Sequence, residues 1–398
     1  MNRTAPFTLT LILAMCTMMG ALGIDTYLPS FGAIGQEFNA APSVVQQTLS
    51  AYVLAMAVTM LFYGTLSDTF GRKRVLLWAS LGFGLLSLAC AFASSMHSLI
   101  ALRFAQGATA GAGMVIARAF VQDRFQGADA QRMMSLVMFC FGLAPAVAPV
   151  LGGWLQAHSG WRSTFGFLAV FGLALSALCW RALPESLPPE KRVPLKLRTI
   201  AHNYRQALRN PSFVLKVLGL ALMSAGIGLY ISSASQFIVK ILGLQVTSFG
   251  WLFMPLIAGS MVGSAISGLL ARRMPMRLQL ALGYGSMLAG CLSNVAYHAL
   301  TDAPAVPWAV LPIACYTLGT ALLTPILSLQ IMAMFPHMRG TASSLQGCTQ
   351  MSVFALIAGA IAPLLFHSGL ALAIGHCASV AGGMLLWWLS GCTRTPRS

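Results

Sequence analysis

Charge is what this sequence lacks most. Only 8% of its 398 residues are charged, and its acids number eight in all. Soluble domains carry about 25% charged residues, so this chain could not cover a water-facing surface. A CxxC pair is also absent. The nine cysteines are scattered, mostly singly within apolar runs (Cys16, Cys90, Cys140, Cys179, Cys291, Cys315). They read as small packing residues rather than disulfides or metal ligands. His97, His158, His202, His298, His337, His367 and His376 fall mostly in gaps and form no ligand spacing. No metal, no other cofactor and no membrane-embedded enzyme chemistry is therefore expected.

What is abundant is apolar. Hydrophobic residues make up 57% of the chain, and the mean hydropathy is +0.77. This is the composition of a polytopic membrane protein, with the lipid bilayer as its solvent. The start "MNRTAPFTL" lacks a small-residue cleavage site after its apolar run, so the first segment reads as a retained span. The formal charge of +16 could point to nucleic acid, but the placement of the basic residues argues against such a partner. They gather in short gaps on alternate sides of the apolar segments, which is the positive-inside pattern.

A bilayer core needs roughly 20 apolar residues per helix. Twelve such segments can be laid along the chain: 7–35, 44–66, 75–95, 98–120, 131–153, 162–182, 213–238, 248–270, 277–298, 307–333, 340–364 and 369–391. Gaps after even-numbered segments hold Arg72, Lys73 and Arg74, then Arg124, then the run from Arg181 to Arg209, then Arg272 and Arg273, then Arg394 and Arg397. Gaps on the other face hold only Arg162 and Lys240. Both termini are thus expected on the cytoplasmic side.

The longest gap, 183–212, carries prolines that stop the sixth helix and basic residues suited to anionic headgroups. It is read as a cytoplasmic linker between an N-terminal bundle, 1–182, and a C-terminal bundle, 213–398. The halves look related. "DAQRMMSLVMFCFGLAPAVAPVLGG" (129–153) and "HMRGTASSLQGCTQMSVFALIAGAIAPLLF" (337–366) share a basic start, small residues and a late Ala-Pro. "YGTLSDTFGRKR" (63–74) has a degraded echo in "SGLLARRMPMR" (267–277). Paired halves with sites near the midplane mark transporters.

Of the eight acids, Asp25, Glu37, Asp68, Asp123, Asp129, Glu185, Glu190 and Asp302, only Asp25 lies well within a segment. At 1.5 Å per residue it stands about 27 Å along the helix from Phe7, beyond the midpoint toward the outside. Arg103, in "LIALRFAQGATAGAG" (99–113), enters from the outside and sits roughly 8 Å in. An arginine at that depth costs about 2.5–3.5 kcal/mol or more unless it faces protein or water, or snorkels to the surface. Desolvation opposes the charged form of a carboxyl, and a nearby arginine favours it. Opposing influences of this kind can hold Asp25 where it loads and releases a proton. A permanently paired structural ion is the other reading.

Three motifs narrow this further. "GTLSDTFGRKR", Gly64 to Arg74, resembles the loop between spans two and three of the major facilitator superfamily. The resemblance implies a conformational latch in which Gly64 admits a neighbouring helix, while Asp68 and Arg72 engage Asp123 at the end of the fourth span. The segment around Arg103 looks like that superfamily's fourth-span motif. "GLAPAVAPVLGG" (142–153) is similar to its antiporter motif, with Ala144 and Ala148 where glycines are usual. Pro145 and Pro149 would bend that helix, and Gly152 and Gly153 complete the motif.

"DTYLP" (25–29) and "FPHMRGTASSLQG" (335–347) point within the superfamily to the Bcr/CflA branch of bacterial drug:proton antiporters, a likeness covering the whole chain. It implies an all-α membrane fold of twelve spans in two pseudo-symmetric six-helix bundles, set in the bacterial inner membrane and working as a monomer. It also implies that Asp25 and Arg103 couple protons to the export of a small molecule by alternating access.

The cavity walls would come from the first, fourth, seventh and tenth spans. Tyr27, Gln106, Tyr230, Gln236, Tyr316 and Thr320 are candidate substrate contacts, with Met138 and Phe141 of the fifth span adding soft apolar surface. Ordinary helix packing is the alternative for each. The seventh span departs from many relatives, reading "SSASQF" with Ser235 and Gln236 in place of a Gly-Pro. With one intramembrane acid and one intramembrane base, a neutral or zwitterionic amphipathic substrate fits best. Exchange or uptake of a metabolite, such as a nucleoside or amino-acid derivative, is the alternative function.

Overall fold

A computed structural model of the chain describes residues 5–125, 127–192, 197–270, 274–335 and 339–392. Arg272, Arg273, Arg394 and Arg397 of the basic gaps, and His337, lie outside the described residues. No β-strand occurs among those described.

Twelve long helical segments are present among the described residues. They are α1 (Thr8–Glu37), α2 (Pro42–Phe70), α3 (Arg72–Ala91), α4 (Met96–Arg124), α5 (Gly127–Ser159), α6 (Trp161–Ala182), α7 (Pro211–Ile241), α8 (Val246–Leu269), α9 (Met276–Leu300), α10 (Leu311–Ala333), α11 (Gly340–Leu365) and α12 (Gly369–Gly391). Ten of these are long and apolar enough to cross a membrane. The other two, α5 with 33 residues and α9 with 25, span about 37 Å or more at the α-helical rise, longer than a hydrocarbon core.

The boundaries follow local chemistry. Pro42 opens α2 and Pro211 opens α7, where a missing N–H costs nothing. Asn210 caps α7 by accepting from the Phe213 amide at 3.1 Å. Ser95 and Ser98 form a reciprocal capping box at the start of α4. Gly71, at φ +96°, makes the turn from α2 into α3, a conformation that a side chain would strain.

The chain divides into two compact units, Met1–Lys196 and Leu197–Ser398. In the first, α1 packs on α5, α2 on α4, and α3 on α6. In the second, α7 packs on α11, α8 on α10, and α9 on α12, with α7 on α12 and α9 on α10 also in extensive contact. Each unit thus repeats one pattern of neighbours, six positions apart in helix number. Outward-facing Trp78, Trp180, Leu300 and Trp388 are exposed apolar surface of the kind lipid covers. A short amphipathic helix, Leu197–Leu208, precedes α7 and packs on α7 and α11.

Candidate functional site

The first helix is broken where the lone intramembrane acid sits. Regular helix runs from Ala5 to Asp25, a 3-10 turn covers Leu28–Ser30, and helix resumes over Phe31–Glu37. Pro29 supplies the reason. It has no N–H to give the carbonyl four residues back, which is that of Asp25 itself. Asp25 is therefore the last residue of the inner helix, 3% exposed. None of the ion pairs among the described residues includes it. Discontinuous membrane helices of this kind are where transporters place ion and substrate sites.

Arg103 is fully buried and does not pair with Asp25. One guanidinium nitrogen, Nη1, donates to Gln106 Oε1 at 2.6 Å, and Nη2 donates to the Gly23 carbonyl at 2.9 Å. The planar group lies 4.1 Å from the Tyr52 ring centre, 4.5 Å from Tyr27 and 5.8 Å from Phe165. Gln106 is held in turn by donating to Ser87 Oγ at 2.6 Å. Desolvated cation–π contacts are worth about 2 kcal/mol or more, and with two strong acceptors they stabilise a guanidinium that has no ion pair among the described residues. Snorkelling to the surface is also ruled out, because the head group is enclosed on every side.

The α2–α3 loop assembles the acids and base it was expected to. Arg72 reaches Asp68 Oδ1 at 2.6 Å and Asp123 Oδ2 at 3.1 Å, and it donates to Ser67 Oγ. Gly64 plays a different part from the one its type implied. A side chain there would meet none of the described residues within 4 Å; its carbonyl accepts from Ser67 Oγ at 2.8 Å instead. Sequence reasoning missed the linker residues that join this cluster. Glu185 Oε1 accepts from the Arg72 amide at 2.9 Å, Ser186 Oγ donates to Asp123 Oδ2 at 3.0 Å, and Lys73 Nζ donates to the Trp180 carbonyl at 2.8 Å. An acid and a serine directly after a proline-terminated span were the available signal.

In α5, Pro145 and Pro149 lie inside one continuous helix. Gly152 and Gly153 are buried. Gly152 faces the Thr26 carbonyl so closely that a Cβ would collide with it. The antiporter-like motif therefore packs its slimmest point against the break in α1.

The candidate substrate contacts are mostly committed to their own bundles. Tyr27, Gln106, Tyr230 and Tyr316 are fully buried. The Tyr27 hydroxyl shares a hydrogen bond with Thr48 Oγ1 at 2.7 Å, Tyr230 accepts from Asn294 Nδ2 at 2.6 Å, and Tyr316 donates to the Met223 carbonyl at 2.6 Å. Thr320 donates to the Tyr316 carbonyl at 3.0 Å. Gln236 alone among these six keeps partial exposure. The side chains of Met138 and Phe141 lie outside the described residues.

Asn294, a buried polar residue of the second unit, has no part in the sequence reading, and His376 enters it only as a histidine without ligand spacing. Asn294 bridges Tyr230 and, at 3.5 Å, His376 Nδ1; the His376 ring sits edge-on 4.2 Å from Tyr316. Lone polar side chains inside apolar spans were the signal. Arg118, another base inside the α4 segment, was also left out of the charge count.

Two units of six long helices each, ten of the twelve apolar enough to cross a membrane, with a first helix broken at a buried acid and a caged arginine, define a multi-pass membrane transporter. The comparisons make the class specific. The sequence profile of the Major Facilitator Superfamily matches residues 13–363, and the chain belongs to that family.

Among its relatives is a bicyclomycin resistance protein homolog of Haemophilus influenzae, 29% identical over 92% of this chain and 94% of that protein. Multidrug resistance protein D of Escherichia coli is 27% identical over 88% of this chain and 87% of its own. A crystal structure of a D-xylose-proton symporter shares the fold, with a TM-score of 0.75, 16% identity, and coverage of 96% of this chain and 97% of that one.

Proposed function

We propose that this protein is a proton-coupled exporter of small amphipathic molecules. The relatives named for bicyclomycin and multidrug resistance support this direction of transport and this substrate breadth. A metabolite carrier finds no comparable support among them. The observation that carries the reading is Asp25: one buried carboxylate without an ion pair among the described residues, at the end of a broken helix. A group with no fixed counter-charge is free to exist with or without its proton. Proton and substrate exclude each other through alternating access, so protons entering from outside drive substrate out.

Arg103 serves as the fixed positive end of the site, held by Gln106, Gly23 and the aromatic rings. Asp68, Arg72 and Asp123 act as a latch on the cytoplasmic side, with Glu185 and Ser186 as additional members. Of the proposed substrate contacts, Gln236 is best supported, since its side chain is the least enclosed. The other committed side chains shape the walls from behind. On this reading the protein works in the bacterial inner membrane as a monomer, with both termini cytoplasmic, two bundles at 1–182 and 213–398, and a linker at 183–212. Its substrate is neutral or zwitterionic, so exchange of one proton for one molecule moves net charge.

The test is transport of bicyclomycin in proteoliposomes under an imposed proton gradient. Native protein is expected to move it in the sense opposite to the protons and to respond to membrane potential. Asp25→Asn is expected to abolish the gradient-driven component. Undiminished proton-driven transport in that variant would remove Asp25 from the mechanism.

A further inference from the structure

The end of the N-terminal unit remote from the α2–α3 loop holds an ion pair that the mechanism above leaves unused. Glu37 is the last residue of α1. Its carboxylate receives Arg162 Nη2 at 2.7 Å and Nη1 at 2.8 Å, and the indole Nε1 of Trp161 at 2.6 Å. Arg162 stacks 4.3 Å from the Trp161 ring and reaches the Ala93 carbonyl, just past the end of α3, at 3.4 Å. An exposed ion pair alone contributes little to stability. Here two consecutive residues of α6 converge on one carboxylate, which fixes geometry.

A stack of rings leads inward from this clasp. Trp161 meets Phe165 edge-on at 6.0 Å, one helical turn along α6. Phe165 lies 5.1 Å from Tyr27 and 5.8 Å from the Arg103 guanidinium. Tyr27 also contacts Phe31 at 5.0 Å, in the segment that ends at Glu37. That outer segment, Phe31–Glu37, has only seven residues. So short a helix does not hold itself together in isolation, and the break at Pro29 cuts it off from the support of the inner helix. Its place is set by what it is tied to.

We propose that the Glu37–Trp161–Arg162 clasp positions the outer segment of α1 together with the Phe165–Tyr27 wall of the Arg103 cage, and thereby sets the proton affinity of Asp25. Glu37, Trp161 and Arg162 are positioning residues. The proposal rests on the proton-binding role of Asp25, and the experiment separates the two.

Full-length protein in lipid vesicles is titrated by infrared difference spectroscopy, and the carboxyl band that Asp25→Asn removes reports Asp25. Glu37→Gln and Arg162→Met are each expected to move the midpoint of that band by about 0.5 pH units or more, roughly three-fold in proton affinity. The swap Glu37→Arg with Arg162→Glu is expected to bring it back toward the native value. Should Arg162→Met fail to fold, Trp161→Phe keeps the ring wall and removes only the indole donor, and it is expected to move the midpoint in the same sense.

An unmoved midpoint in these variants, even with a lowered melting temperature, would mean the clasp is only structural and would overturn the proposal. If Asp25→Asn removes no titrating band, the Asp25 reading falls and the clasp proposal with it.

Discussion

The hydrogen bond from Arg103 to Gln106 gives the sharpest test of how this protein tolerates a buried cation without a counter-ion. Gln106→Leu is close to isosteric. It removes the 2.6 Å bond that the guanidinium donates and the 2.6 Å bond that Gln106 donates to Ser87. A hydrogen bond to a charged group contributes about 1.5–3 kcal/mol, against about 0.5–1.5 kcal/mol for a neutral one. The substitution should therefore cost about 2–4.5 kcal/mol before the modest gain from the extra apolar surface of leucine.

The two contributions can be separated by a cycle with Arg103→Met, which removes the charge and fills its space. In that background Gln106→Leu loses only the bond to Ser87. The coupling energy between the two sites is expected at about 1.5–3 kcal/mol, measured by equilibrium unfolding of the purified chain in micelles. A coupling below about 0.5 kcal/mol would mean that the aromatic faces and the Gly23 carbonyl suffice, and the reasoning about Gln106 would be refuted.

Two further outcomes follow from packing in each unit. Gly152→Ala drives a methyl group onto the Thr26 carbonyl at the break in α1, whereas Gly142→Ala on the same helix meets none of the described residues within 4 Å. The first is expected to lower stability by about 1–3 kcal/mol and to impair transport, and the second to do neither. Comparable melting temperatures and transport rates for the two variants would contradict the close approach. In the second unit, Asn294→Leu strands the Tyr230 hydroxyl and the His376 Nδ1 atom without their partner. It is expected to cost about 1–3 kcal/mol, part of which Tyr230→Phe recovers. Strictly additive losses in the double variant would show that the two residues are not linked.

The sequence by itself determined the class and the succession of long apolar helices. Hydrophobic runs of membrane length, alternating basic gaps and the internal likeness of the halves all depend on the bilayer acting as a solvent along one axis, which a one-dimensional pattern records fully. It also singled out Asp25, because an acid inside an apolar run needs no neighbour to be conspicuous. The grouping of Asp68, Arg72 and Asp123 was legible for a similar reason: it rests on a short motif and one helix end.

What only the tertiary structure decided is which polar atoms meet across helices. The partners of Arg103 are a glutamine, a backbone carbonyl and a set of rings, none of which a pattern along the chain could assign to it. Tyr27, Tyr230 and Tyr316 turned their hydroxyls into their own bundles. The linker's Glu185 and Ser186 joined the α2–α3 loop. These pairings link residues up to 113 positions apart. Their geometry depends on helix rotation and on kinks such as the one Pro29 imposes. Hydrophobicity along the chain fixes where each helix crosses the membrane; the azimuth of each side chain is settled only when neighbouring helices close-pack around it.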